Sequence, residues 1–362
     1  MPSYSQFQEN ITHTDYETKI ISSGNNFPSI DISESRLHYL LVMIRSGIDI
    51  QDIKKELNWN TKEINQHINT LLKEGLLKEI NDTYFPACMV ITAHEGKQLY
   101  NLCEPLITPT LQIIEKHSKQ IITLCKKIDT FKQLSIEACS LLLYSGVLLD
   151  FGQINNIEKN YLKSERPLRN NKRYYYSIQE KEKTNEEAFG IYGNHYLDLG
   201  ELQICLYGNR RYTTTNLITA NEETLEEYFQ QTILDVNQLK KQLVQKFVSS
   251  DTQIDVPLRS FYERVGLYKN SKPIIPVFQA ADLIVLDEIA DTISEDLITL
   301  LQENEHFLKG YYLSSSYAKE ITYEEFFIWW YHFFYTKVTE ELIKCSKIKN
   351  IAQENQTYIV LC

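Results

Sequence analysis

Three short apolar stripes at helical spacing, followed at once by β-type residues, occupy Ser35 to Leu99, and this succession constrains the fold more than any other stretch. Leu37, Leu40, Leu41 and Ile44 recur on one helical face behind Ser33 or Ser35 as N-cap, and Gly47 supplies the stop. Ile50, Ile53 and Leu57 form a second stripe. The polar residues 58 to 60 then break the pattern, with Thr61 expected to cap the next helix. The third pattern turns Ile64, Ile68, Leu71 and Leu72 inward until Gly75 takes the C-cap position. Beyond it, Leu76 to Ile80 and Cys88 to Thr92 read as two strands joined at Asn81-Asp82.

Three helices and a hairpin in this order predict a winged helix-turn-helix over residues 34–103, with the third helix as its recognition helix. On the other side of that helix, Lys62, Asn65, Gln66, Asn69 and Lys73 share one face. Amide side chains pair with adenine edges and lysines with phosphates or guanine, so such a face suits the DNA major groove. The expected DNA-binding set is Thr61, Lys62, Asn65, Gln66, Asn69 and Lys73 on the helix, with Lys78 and Tyr84 on the hairpin.

Together with the turn Ile91-Thr92-Ala93-His94-Glu95-Gly96-Lys97 and the Lys73-Glu74-Gly75-Leu76-Leu77 exit from the third helix, the segment resembles winged-helix bacterial regulators of the MarR-like or ArsR-like kind. The resemblance covers about a fifth of the chain. It implies a DNA-binding regulator in which a long helix follows the wing. Here that helix is expected from about Pro105 to Ile128, with Leu111, Ile114, Ile121, Leu124 and Ile128 on its apolar side. That stripe fits either an intramolecular core or a dimer seam.

Charge limits how such a module would hold DNA. Residues 34–103 carry eight Lys or Arg against nine acids, and the whole chain has a net charge of −11. Phosphate contacts supply most non-specific affinity, so positive charge must gather on one face or two copies must act together. A homodimer is therefore expected. An acidic chain is also a poor coat for nucleic acid or for an anionic membrane.

The 362 residues suggest two or three domains. A polar tail is expected over 1–33, the winged helix over 34–103, a linking or dimerising helix over 104–133, and a mostly helical sensing or interaction domain with a small antiparallel sheet over 134–362. The fold class is thus α+β. Strand patterns lie at Lys172 to Gln179, Ala188 to Tyr196 and Glu201 to Gly208. Helical ones resume at Glu222 to Val248, about Ala280 to Asn304 and Tyr323 to Ser346, and Ile359 to Cys362 reads as a terminal strand.

The C-terminal part is rich in aromatics, among them Tyr212 and the run Trp329-Trp330-Tyr331-His332-Phe333-Phe334. These either bury a helix on several sides or line a ligand pocket, for which Tyr176, Tyr192, His195, Tyr207 and Trp330 are the candidates. Asp287-Glu288 follows four apolar residues as in a P-loop ATPase, yet the chain has no G-x-x-x-x-G-K-[ST] to cradle phosphate. No dinucleotide fingerprint, nucleophile elbow or metal-ligand set is found, so no catalytic residue, cofactor or metal is expected. The seven cysteines stand singly and read as buried thiols. With no secretory signal and no apolar run near the ~20 residues of a membrane span, a cytoplasmic location is expected.

A DNA-binding regulator with an effector-sensing domain is the first functional expectation. A winged-helix adaptor for a peptide or protein is the second, and an enzyme of unfamiliar type behind a winged helix the third.

Overall fold

Gly47 and Gly75 both adopt left-handed backbone, at φ 75° and 77°, and each ends a helix where the apolar stripe stops. The computed structural model describes residues 11–33, 36–181, 192–209, 216–249, 254–349 and 355–362. It is mixed α+β with small sheets, and two compact units are interleaved along the chain. The first takes its described residues from Met1–Pro105, Glu158–Phe189 and Leu301–Phe334, the second from Leu106–Ile157, Gly190–Leu300 and Tyr335–Cys362. Residues 134–362, expected as one domain, therefore contribute to both. Among the described residues, no helix is long and apolar enough to cross a membrane.

The first unit begins with β1 (Tyr16–Ile21), then α1 (Leu37–Arg45), α2 (Ile50–Glu56) and α3 (Thr61–Glu74), followed by β2 (Leu77–Ile80), β3 (Thr83–Pro86), β4 (Met89–Ile91) and α4 (Ala93–Asn101). Leu37, Leu40, Leu41, Ile44, Ile53, Leu57, Ile64, Ile68 and Leu71 meet in one buried core, as their spacing requires. The first cap differs from expectation. Arg36 precedes α1 in left-handed backbone without a side-chain cap, Ser33 bonds Asp31 instead, and Ser35 lies outside the described residues.

The strand pairing also departs from the sequence reading. Asn81 and Asp82 both have positive φ, the geometry of a two-residue type I′ turn, so β2 pairs with β3 immediately after it and not with the Cys88 to Thr92 segment. β4 instead lies parallel to β5 (Tyr175–Glu180), whose other edge takes β1 antiparallel with Tyr16 opposite Glu180. The segment expected as a tail thus supplies a strand, and Ile11 and Ile32 bury their side chains in the same core. Lys172 to Gln179 likewise divides, with Lys172–Arg173 pairing Leu168–Arg169 while β5 joins the three-stranded sheet.

The helix Tyr323–Lys344 explains the aromatic run. Phe326 to Tyr331 and Phe333 to Tyr335 are all buried, so the run packs on every side.

In the second unit, four strands are ordered Val277–Gln279, Asn355–Leu361, Leu202–Asn209 and Tyr192–Asp198, the first pair parallel and the others antiparallel. The terminal strand and the one from 202 match the sequence reading, while residues 188–191 and Tyr212 lie outside the described residues. Leu202, Ile204 and Ile359 pack with Leu225, Val244, Phe247, Phe261 and Tyr262 from three helices. Helices Glu104–Cys125 and Ala280–Glu303 occupy the expected positions, whereas the Glu222 to Val248 pattern is two helices, Glu222–Phe229 and Val236–Val248. Five of the seven cysteines are buried, Cys345 and Cys362 being exposed.

A π-helical turn at Leu141–Val147 buries Ser145, whose hydroxyl meets Tyr207 Oη at 2.7 Å and Thr339 Oγ1 at 2.6 Å. Asp150 is buried nearby. Burial pushes its carboxyl up to about 8, against hydrogen bonds from Tyr335 and Tyr207 that pull the other way. Between about pH 4 and pH 8 the unfolded chain releases this proton and the folded chain keeps it, so the group's contribution to stability falls as pH rises through that window. One such proton is worth at most about 1.4 kcal/mol per pH unit. Urea unfolding of the wild type and Asp150→Asn at pH 5 and pH 8 should show the wild type losing more stability over this interval than the variant. Equal losses in the two proteins would contradict this account of Asp150.

Candidate functional site

α3 is closed at both ends by residues that leave its outer face unused. Asn60 is the N-cap: its side chain accepts from the Lys62 and Glu63 amides, while the Glu63 carboxylate accepts from Asn60 N at 2.7 Å. The cap expected at Thr61 is therefore one residue earlier, in keeping with the N-x-x-E spacing of a capping box. Beside the N-terminus, the His67 ring lies on Trp59 with centroids 4.3 Å apart, and burial lowers its pKa.

At the C-terminal end the helix is tied by buried polar groups. Glu74 accepts hydrogen bonds from Tyr174 Oη at 2.8 Å, Asn170 Nδ2 at 2.9 Å and Ser29 N at 3.0 Å. Arg169 then gathers the chain beyond the helix. It donates through Nε to the Gly75 carbonyl, through Nη1 to that of Tyr174, and through Nη2 to Ala87 and to both Glu325 oxygens at 2.8 and 2.9 Å. Neither Arg169 nor Glu325 exposes more than 4% of its side chain.

With the ends fixed and Ile64, Ile68 and Leu71 inward, Thr61, Lys62, Asn65, Gln66, Asn69, Thr70 and Lys73 line one open depression on the protein surface. Lys54 Nζ donates to Thr61 Oγ1 at 3.3 Å, and Thr70 Oγ1 donates to the Gln66 carbonyl. Among the described residues, the side chains of Lys62, Asn65, Gln66, Asn69 and Lys73 have no hydrogen-bond or ion-pair partner. No carboxylate lines the depression. Three amides, each offering a donor and an acceptor side by side, thus stand between two cations.

The two hairpin residues of the expected set stand apart from this face. Tyr84 is half-buried against the core. Lys78 is partly buried too, and burial lowers its pKa while Glu320 and Glu325 act in the opposite direction. The register pairs Lys78 with Phe85 and Tyr84 with Glu79, so alternation puts the two side chains on opposite faces of the hairpin, and neither lines the depression with the six α3 residues.

The five residues expected to form a ligand pocket are divided between the two units. Tyr176 and Trp330 are buried in the first unit, and Tyr192 and Tyr207 in the second. His195 is exposed on the strand Tyr192–Asp198. The sequence reading missed Glu74 and Arg169, because a lone acid at a helix end and a lone arginine far along the chain carry no local pattern. The Asn60 cap was detectable from Glu63 three residues on. Comparison with models of known protein families, with curated proteins and with solved structures finds no match.

Removing one member of a buried, hydrogen-bonded ion pair strands the other, at a cost of about 3–5 kcal/mol. Arg169→Met and Glu325→Leu are each expected to lower stability by about that much, and the double variant by clearly less than the sum. Chemical denaturation of the four proteins checks this. Additive losses would mean that the pair is not coupled.

Proposed function

We propose that the chain is a DNA-binding transcriptional regulator whose α1–α3 and β2–β3 form a winged helix-turn-helix, with α3 as the helix that enters the major groove. The observation that carries the proposal is the acid-free outer face of α3, on which Lys62, Asn65, Gln66, Asn69 and Lys73 have no partner among the described residues. A helix with such a face fits the groove in width and in the hydrogen bonds it offers. The N-terminus of α3 adds its own amide dipoles near the Thr61 end, which favour phosphate.

Only a few cations are available. Lys62 and Lys73 lie on the face and Lys54 and Lys55 on the preceding helix, Lys55 being paired with Asp52 at 3.1 Å. Each phosphate contact contributes about −0.9 to the slope of log K against log salt, so one copy supplies a weak electrostatic term. A homodimer placing two α3 helices on neighbouring half-sites doubles it, and is part of the proposal.

The proposal is tested on DNA from the protein's own promoter region, at two salt concentrations, with the wild type and the Asn65→Ala/Asn69→Ala variant. Each lost base contact should cost roughly 1–3 kcal/mol. Both residues are exposed, so thermal unfolding should be unchanged. Equal affinity of the two proteins for that DNA would count against α3 as the reading helix.

A further inference from the structure

With α3 taken as the groove helix, its choice of side chains narrows the sequence it would recognise, and the inference rests on that reading. Discrimination among base pairs in the major groove depends on donor and acceptor order: an arginine or lysine fork suits guanine, a carboxylate suits cytosine, and an Asn or Gln amide suits the N6 donor and N7 acceptor of adenine. The α3 face has no arginine. Its nearest acid, Glu63, is engaged by the Asn60 backbone, and Glu74 is buried by Tyr174, Asn170 and Ser29. At the centre remain three amides, Asn65, Gln66 and Asn69.

Spacing assigns the rest. Asn65 and Asn69 are one helical turn apart, about 6 Å along the axis. Two base-pair steps span roughly 6.8 Å, so amides a turn apart address pairs separated by one intervening pair. Lys62 and Lys73 lie eleven residues apart, about 16 Å along the helix. In the same pose the two lysines lie three and four residues beyond the amides at either end of the face, where their long stems reach backbone phosphates outside the pairs that the amides address. The lysines then set position and the amides set sequence.

We infer that the half-site read by α3 contains two adenines separated by one base pair, on the same or opposite strands, each held through N6 and N7 by Asn65 and Asn69, with Lys62 and Lys73 on the flanking phosphates. Gln66, adjoining both, presents the same donor and acceptor and extends the preference for A·T pairs. The face is selective for adenine because its base-facing centre holds amides, with no arginine and no free carboxylate, while its two lysines are taken up by phosphates.

The experiment is selection of the full chain against a random duplex library, followed by affinity measurements on the enriched duplex. Enrichment of adenine at two positions one pair apart is expected. Replacing either adenine by 7-deazaadenine, which removes the N7 acceptor and keeps the Watson–Crick pair, should weaken binding about 5- to 100-fold. Asn65→Ala should abolish the penalty at one of the two positions and leave the other, and Asn69→Ala the reverse. An enriched site with G·C pairs at the discriminating positions, or 7-deazaadenine penalties that neither variant alters, would overturn the adenine assignment while leaving DNA binding in place. Failure of every duplex to enrich would overturn both the assignment and the regulator reading.

Discussion

The Arg169 guanidinium is the joint on which the first unit depends. It is almost fully buried, and its donors reach carbonyls at residues 75, 87 and 174 and the carboxylate of Glu325, four points far apart in the chain. A planar fork with five donors can close several chain ends at one place, which a lysine cannot. The consequences are local and ordered. Gly75 is where α3 ends, Ala87 lies between β3 and β4, and Tyr174 immediately precedes β5. Fixing these three carbonyls sets the exit of the proposed groove helix and the start of the sheet together.

A second charged junction has the same logic. Arg45, at the last residue of α1, donates to both Glu95 oxygens at 2.6 and 2.9 Å and to Glu320 at 3.0 Å, and its guanidinium lies 4.9 Å from the centre of the Tyr317 ring. Glu95 has two tasks, since its carboxylate also completes the capping box at the start of α4 with Thr92. Arg45 and these contacts hold the Glu95 carboxyl below its ordinary range despite burial, while burial keeps that of Glu320 raised. Polar groups buried in this way specify one arrangement of α1, α4 and the helix Tyr317–Glu320, because any slip leaves a charge unpaired.

Much of α1 to α3 was legible because periodicity is local. Leu37 to Ile44, Ile53, Leu57 and Ile64 to Leu71 could be assigned inward from spacing alone, and the same spacing placed Lys62, Asn65, Gln66, Asn69 and Lys73 together outside. The hairpin was misread although its signal was present: Asn81-Asp82 suits a two-residue turn, which dictates that β3 starts at Thr83. Partners distant in sequence left no trace. β4 meets β5 more than eighty residues later, and β1 lies in a segment whose polar character hid its strand. Aromatic content was equally ambiguous, because the residues that fill the core at Trp329 to Tyr335 are the same types that line ligand pockets.

The central claim, that α3 presents a DNA-reading face, is tested most directly by lysine labelling in the presence and absence of the duplex selected by the full protein. Acetylation of Lys62 and Lys73 should fall several-fold when that duplex is added, while Lys132 and Lys344, on other elements, should react as before. Unchanged reactivity of Lys62 and Lys73 in a sample where the duplex is demonstrably bound would contradict the account.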